Sequence, residues 1–333
     1  MNNLLVGVLC NKIKPDLFST VQGSLPFNLL LFTNRGINWE QRSISGLLLH
    51  NGQWRQREVR FPDAVYNQRY TQSSATAFRL EREIGRGRVF NMRTRFNKLI
   101  TYSILEKSIV KPLLIPTRAY SDNSLLEMLD ASPVIMKPVY GAKGRDVLKI
   151  VRHGDEYKVY SQSDYESITI SRPNELLNWA RGYTDREGFV LQPFISFDTL
   201  GGYVIDLRML VQKDSLGEWR VTATLSRIGF QRYYVSNLAW NVRPGEQVLE
   251  SVPSTNSFTQ LRDIAIAVAA KMEMALGHLG ELSVDYGIAA GRPWIIEVNG
   301  MPQKQIFRDI SVETLERVVR TPLLYAKFLA SSS

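Results

Sequence analysis

Hydrophobic positions fall mostly in short runs, and their spacing predicts alternating strands and helices. Leu4 to Leu9 and Phe27 to Phe32 are continuous apolar runs too short for helices, and they predict buried strands. Ile44 to Leu49 and Trp54 to Val59 flank Asn51-Gly52, residues that suit the two positive-φ positions of a type I′ turn, so a hairpin is expected. Pro62 to Tyr66 predicts another strand. Ser73 or Ser74 can cap a helix carrying Phe78, Leu80 and Ile84, ending near Gly85 or Gly87. These pieces make a small α/β unit that ends at about residue 90.

Thr94 to Lys107 has helical spacing in Phe96, Leu99, Ile100 and Ile104, stopped by Pro112; Leu113 to Pro116 is short and extended. Ser121 can cap a helix through Leu125, Met128 and Leu129. A strand from Val134 to Lys137 runs into the loop Val139-Tyr140-Gly141-Ala142-Lys143-Gly144-Arg145, and Val147 to Val151 with Tyr157 to Tyr160 predict a hairpin about Gly154-Asp155. Ser171 and Pro173 open a helix containing Leu176, Leu177 and Trp179, before strands at Phe189 to Ile195 and Val204 to Val211. Trp219, Val221, Ala223 and Leu225 alternate with Arg220, Thr222 and Thr224, the period of a half-exposed antiparallel strand. Leu261 to Leu276 predicts an apolar helix, Leu282 to Ile288 and Trp294 to Val298 a pair of strands turning at Gly291, and Thr314 to Leu329 a final helix. The pattern is α+β with long antiparallel strands.

Composition adds exclusions. The 333 residues suit two domains or one large one, and 44% apolar with 22% charged residues is the balance of a folded chain. One cysteine, Cys10, and three scattered histidines, His50, His153 and His278, argue against a disulfide, a zinc cluster and a Cys–His nucleophile. No run nears the ~18 apolar residues of a membrane span, and Met1 to Cys10 lacks the basic start of a secretory leader, so a cytoplasmic protein is expected. The net charge is +9, from 41 Lys+Arg against 32 Asp+Glu. The cations are spread along the chain, densest from Arg79 to Arg95, and read as a solvated surface rather than a nucleic-acid footprint.

Four short stretches carry candidate chemistry. Glu297 and Asn299 share a strand face, and a turn at Gly291 can bring Asp285 alongside them. Two carboxylates and a carboxamide suit a hard cation such as Mg²⁺, although ordinary strand polarity would give the same residues. Lys137 ends an apolar strand before a two-glycine loop, an arrangement that can surround phosphate oxygens or form a plain turn. Asp206 and Arg208 share a face, so Arg208 either points into a cleft or pairs with Asp206. Gln192-Pro193-Phe194-Ile195 ends a strand where a flat heterocycle could lie.

The order Lys98, Lys137 with its glycine loop, Gln192 to Ile195, Arg208, Asp285, then Glu297 and Asn299 resembles the ATP-grasp family, from about Asn97 to Asn299. More narrowly, Pro62-Asp63-Ala64-Val65-Tyr66-Asn67, Asn97-Lys98, Asp206 to Lys213, Val235-Ser236-Asn237-Leu238 and Glu297-Val298-Asn299 look like its YheC/YheD branch, the endospore coat-associated proteins. The resemblance implies an ATP-grasp fold, two α+β subdomains clamping a nucleotide, at residues 93–330 (93–190 and 191–330), after an N-terminal α/β domain at 1–92. It implies ATP and two Mg²⁺ ions as cofactors, and an ADP-forming carboxylate–amine ligase. Lys98, Lys137, Gly141, Lys143 and Gly144 would meet the phosphates, with Gly141 to Gly144 as a flap. Gln192, Phe194 and Ile195 would line the adenine pocket, with Asp198 at the ribose. Arg208 and Lys137 would be catalytic, and Asp285, Glu297 and Asn299 would ligate metal, with Glu297 bridging. An acceptor carboxylate or amine and spore coat proteins are the implied partners, and a spore-forming bacterium the implied setting. A kinase and a non-catalytic coat protein keeping the fold stay open as alternatives. After Asn299 the chain departs from the Pro-Gly turn of many amide-forming relatives, reading Gly300-Met301-Pro302-Gln303-Lys304.

Overall fold

The computed structural model describes residues 4–141, 144–165, 167–184, 188–234, 239–252 and 254–331. Within them the apolar runs pair into three sheets. In the first, Leu5–Cys10 lies parallel between Asn28–Phe32 and Ala64–Gln68, and Val89–Phe90 extends the parallel series. Both faces of these strands are covered, which is why they read as unbroken apolar runs. The hairpin Ser43–His50 with Gln53–Arg60 joins the sheet through an antiparallel pair with Asn28–Phe32, and Asn51 and Gly52 turn it at φ of 49° and 73°. Helix Ala75–Ile84 starts at Ser74, whose hydroxyl accepts the Ala77 N–H, and ends at Gly85 with φ 118°.

The middle sheet is antiparallel throughout, in the order Ser167–Ile170, Glu156–Ser161, Leu148–His153, Val134–Pro138, Phe189–Pro193, Arg118–Ala119. Ser167–Ile170 was not expected: four residues with two isoleucines give too short an alternation to stand out. Helices Asp122–Ala131 and Pro173–Thr184 bury Leu125, Leu129, Leu176 and Leu177 against Met136, Ile150 and Leu191 on one face. The other face carries Ile135, Lys137 and Gln192 into a cleft.

The third sheet runs Ala239–Arg243, Trp219–Gln231, Tyr203–Lys213, Glu281–Ala289, Arg292–Asn299, also antiparallel, with Thr199–Leu200 beside Tyr203–Lys213. Helix Phe258–Leu276 opens with a capping box at Ser257 and Gln260 and packs Leu261, Ala265, Val268 and Met272 on Met209, Val211 and Val284. The helix expected from Thr94 begins only at Lys98. Asn97 caps it by accepting from the Leu99 and Ile100 N–H groups, while the Thr94 and Arg95 N–H groups donate to the Thr71 carbonyl. A further helix, Gly245–Ser251, starts at Pro244-Gly245, a pair that reads as a turn in the sequence.

The last helix, Val312–Ser331, ties the ends of the chain together. Its Leu315, Val318, Leu323 and Ala326 share one core with Val8, Leu31 and Tyr66 of the first sheet and with Leu210, Ala223 and Leu225 of the third. Leu323 is fully buried there. Leu323→Ala should lower stability by about 2–5 kcal/mol, seen as a shift in the urea midpoint, because the hole opens between two sheets that cannot collapse independently.

Candidate active site

The cleft between the middle and third sheets has a volume of about 860 Å³, including space open to solvent. Ile115, Ile135, Val147, Phe194, Ile195, Phe197, Val204 and Ile296 give it apolar walls, and Lys98, Lys137, Arg145 and Glu297 lie at its charged part. A bulge in Arg292–Asn299, at the register shift between Asp285 and Tyr286, lets the consecutive Ile296 and Glu297 both reach the cleft while Ile295 and Val298 stay in the core.

The Gly291 turn does bring the acidic residues together: Asp285 is the register partner of Glu297, and Ser283 that of Asn299. Arg208 stands opposite Asp285 on the next strand and grips it with two bonds, Nε to Oδ1 at 2.8 Å and Nη2 to Oδ2 at 2.6 Å. Asp206 does not pair with Arg208. It is held by Arg227 across the strand pair, and Arg227 Nη2 also reaches Asp285 Oδ2 at 3.0 Å. All four side chains are buried. Burial disfavours their charge, yet Arg208 and Arg227 hold the Asp285 carboxyl below the usual carboxylate range, and Asp206 and Asp285 raise the Arg227 guanidinium further.

Arg227 is the residue that sequence reasoning missed. The signal was present: the inward row Ala223, Leu225 continues to position 227, so an arginine there needs a buried partner.

Lys98 Nζ lies 3.2 Å from Glu297 Oε1 and donates to the Gly141 carbonyl at 3.2 Å. Lys137 is buried with no such bond among the described residues. Burial, followed by the neighbouring Lys98 ammonium, pushes its pKa down to about 8, partly offset by Glu297. Gly141 and Gly144 line the cleft, whereas Lys143 and the centre of the expected flap lie outside the described residues, as does Val235 to Leu238. Gln192, Phe194 and Ile195 line the same cleft. Asp198 does not: its carboxylate accepts the Ala290 and Gly291 N–H groups and caps the hairpin turn.

The oxygen donors suit a hard cation in part. Asn299 donates Nδ2 toward Asp285 Oδ2 at 3.4 Å, which leaves its Oδ1 free as a ligand beside Glu297. Asp285 already receives both guanidiniums, so it can ligate metal only where they turn away. Among the described residues no group of three or more His, Cys, Asp or Glu side chains forms a metal cluster. Cys10 is buried, with its thiol pushed up to about 12, and takes no part.

The sequence profile described as YheC/D like ATP-grasp matches residues 86–329. The chain belongs to the YheC/D-like ATP-grasp family. The endospore coat-associated proteins YheC and YheD of Bacillus subtilis (strain 168) are 24% identical over 242 residues and 23% identical over 328. The first match takes in 70% of this chain and 66% of YheC, the second 91% of this chain and 71% of YheD. The ATP-grasp ligase PsnB, solved with a phosphomimetic variant of its minimal precursor, Mg and ADP, shares the fold at a TM-score of 0.54 and 14% identity over 98% of each chain.

In this ATP-grasp chain the segment after Asn299 is pinned to the first sheet. Lys304, itself buried, donates to Glu281 Oε1 and to the Tyr66 hydroxyl, both at 2.8 Å, and Tyr66 bonds Glu281 in turn. Gly300 is required for close approach, since a Cβ there would fall 2.5 Å from the Phe96 ring. The family elements Pro62 to Asn67 and Asp206 to Lys213 thus meet at one place, Gln212 donating to Glu281 Oε2 at 2.9 Å. Among the described residues no helix is long and apolar enough to cross a membrane.

Three outcomes follow. Asp285→Asn should cost about 3–5 kcal/mol in a urea titration, because two buried guanidiniums lose their shared counter-charge. Lys137 reaches half charge near pH 8, so affinity for a polyphosphate, measured by calorimetry, should fall as pH rises through about 8. Stability at the same group should move the other way. Its folded pKa lies below its unfolded value, so the penalty for burying its charge disappears as pH rises from about 8 toward 10.5.

Proposed function

We propose that this chain is an ATP- and Mg²⁺-dependent ligase that phosphorylates a carboxylate and passes the acyl phosphate to an amine, releasing ADP. The observation that carries this reading is that Lys98, Lys137 and Glu297 line an apolar cleft, and that Glu297 stands beside Asp285, the carboxylate shared by Arg208 and Arg227. The base would lie against Ile135, Gln192, Phe194, Ile195 and Ile296, and the phosphates would extend toward Lys98, Lys137, Gly141 and Gly144. Glu297 and Asn299, with Asp285 behind them, would hold magnesium, which supplies charge neutralisation to the phosphates.

Phosphoryl transfer asks mainly for positioning and for neutralising charge that spreads over the moving group. The acceptor carboxylate oxygen bonds to the γ-phosphorus as the bond to the ADP oxygen breaks. Arg208 and Arg227 would donate to the transferring oxygens, exchanging part of their hold on Asp285 for phosphate. In the second step the amine nitrogen bonds to the acyl carbon, phosphate leaves with the bonding pair, and the amine sheds a proton. Neither step needs a His or Cys nucleophile.

The names of YheC and YheD support a setting at the endospore coat or envelope, with coat proteins as partners, for a chain made in the cytoplasm. A second reading, a coat-associated protein that keeps the fold without turnover, draws on one observation: Asp285 is already saturated by guanidiniums. ADP release across a panel of carboxylate and amine pairs separates the two. The ligase reading expects one pair to stimulate release and Glu297→Gln to lower it by about a hundredfold or more, the order seen when one charge-stabilising group is removed. Nucleotide binding without stimulated release by any pair would favour the second reading.

A further inference from the structure

Gln192 lies opposite Ile135 on Phe189–Pro193, and its side chain is buried in the wall of the cleft. Its Nε2 donates to Thr117 Oγ1 at 2.7 Å, and the Thr117 hydroxyl stands 2.9 Å from the Ile115 carbonyl oxygen. A carbonyl oxygen only accepts, so the single hydroxyl proton of Thr117 goes to Ile115 and only lone pairs face Gln192. The amide therefore has one satisfied orientation. Reversed, its Oε1 would meet those lone pairs, two acceptors in contact with no proton between them. Thr117 takes one of the two Nε2 hydrogens, and Oε1, on the other arm of an amide that lines the cleft, accepts nothing among the described residues.

We infer that Thr117 sets nucleobase selectivity by fixing Gln192 as a hydrogen-bond acceptor toward the base. This rests on the ATP reading of the cleft. An acceptor at that place favours a base edge bearing an amino group, such as the 6-amino group of adenine, and repels the 6-oxo group of hypoxanthine or guanine. Thr117 does not touch the base; it is a positioning residue that acts through Gln192. A second cavity of about 440 Å³, including space open to solvent, is lined by Thr117 and Gln192 and shares Lys98, Lys137 and Glu297 with the cleft, so the amide has room to turn once the hydroxyl is gone.

Mg-ATP and Mg-ITP differ at the purine in the 6-amino against the 6-oxo group and in N1, an acceptor in the first and an N–H donor in the second, and their dissociation constants measured by calorimetry read the inference. The wild-type chain should prefer ATP by about tenfold or more, the usual cost of leaving a buried polar pair mismatched. Thr117→Val removes the hydroxyl at nearly constant volume, and should bring the ratio to within about threefold of one, mainly by tighter ITP binding. Thr117→Ser keeps the hydroxyl and should retain the preference; Thr117→Ala takes the place of valine if that variant does not fold. Equal binding of the two nucleotides by wild type, or an unchanged ratio in a folded Thr117→Val or Thr117→Ala protein, overturns the inference. If wild type binds neither nucleotide, the ATP reading itself fails and the inference falls with it.

Discussion

Asp206, Arg208, Arg227 and Asp285 are buried side by side on adjacent strands of the third sheet, and their mutual neutralisation is the constraint on which the site is built. Each ion taken singly out of water costs several kcal/mol after relaxation, so none would be held there without the others. Two negative and two positive charges sum to zero, and the bonds cross from strand to strand, so the sheet register is also the wiring of the charge. A one-residue slip would send one member of each pair to the apolar face against helix Phe258–Leu276.

That neutral quartet leaves the cleft with a surplus from its remaining groups. Lys98 and Lys137 face a single carboxylate, Glu297, and Lys137 is buried deeply enough that its charge is already costly. A polyphosphate would relieve that cost by giving the Lys137 ammonium a counter-charge. A second buried cluster, Tyr66, Glu281 and Lys304, joins the same third sheet to the first one. It fixes the path of the chain just past Asn299.

Much of this was legible before the structure. Gly291 between two apolar runs was enough to foresee that Asp285 and Glu297 become neighbours, because a hairpin has few registers once its turn is known. Gly141 and Gly144 after Lys137 and the apolar wall at Phe194 and Ile195 likewise fell where the strand ends placed them. The partner of Arg208 did not. Asp206 and Arg208 share a strand face, which suggests a local pair, but the real partners lie across the sheet, Asp285 for Arg208 and Arg227 for Asp206. Cross-strand register involving bulges cannot be read from one strand alone. The partners of Asp198 were hidden for a related reason: it serves the backbone of a turn more than ninety positions away, at Ala290 and Gly291.

The most direct measurement is a crystal structure of this chain with Mg²⁺ and a non-hydrolysable ATP analogue. It should show the triphosphate in the cleft, the ion on Glu297 and Asn299, and the guanidiniums of Arg208 and Arg227 within hydrogen-bond reach of phosphate oxygens. A nucleotide bound elsewhere, or one in the cleft with both guanidiniums making no contact to its phosphates, would contradict the account.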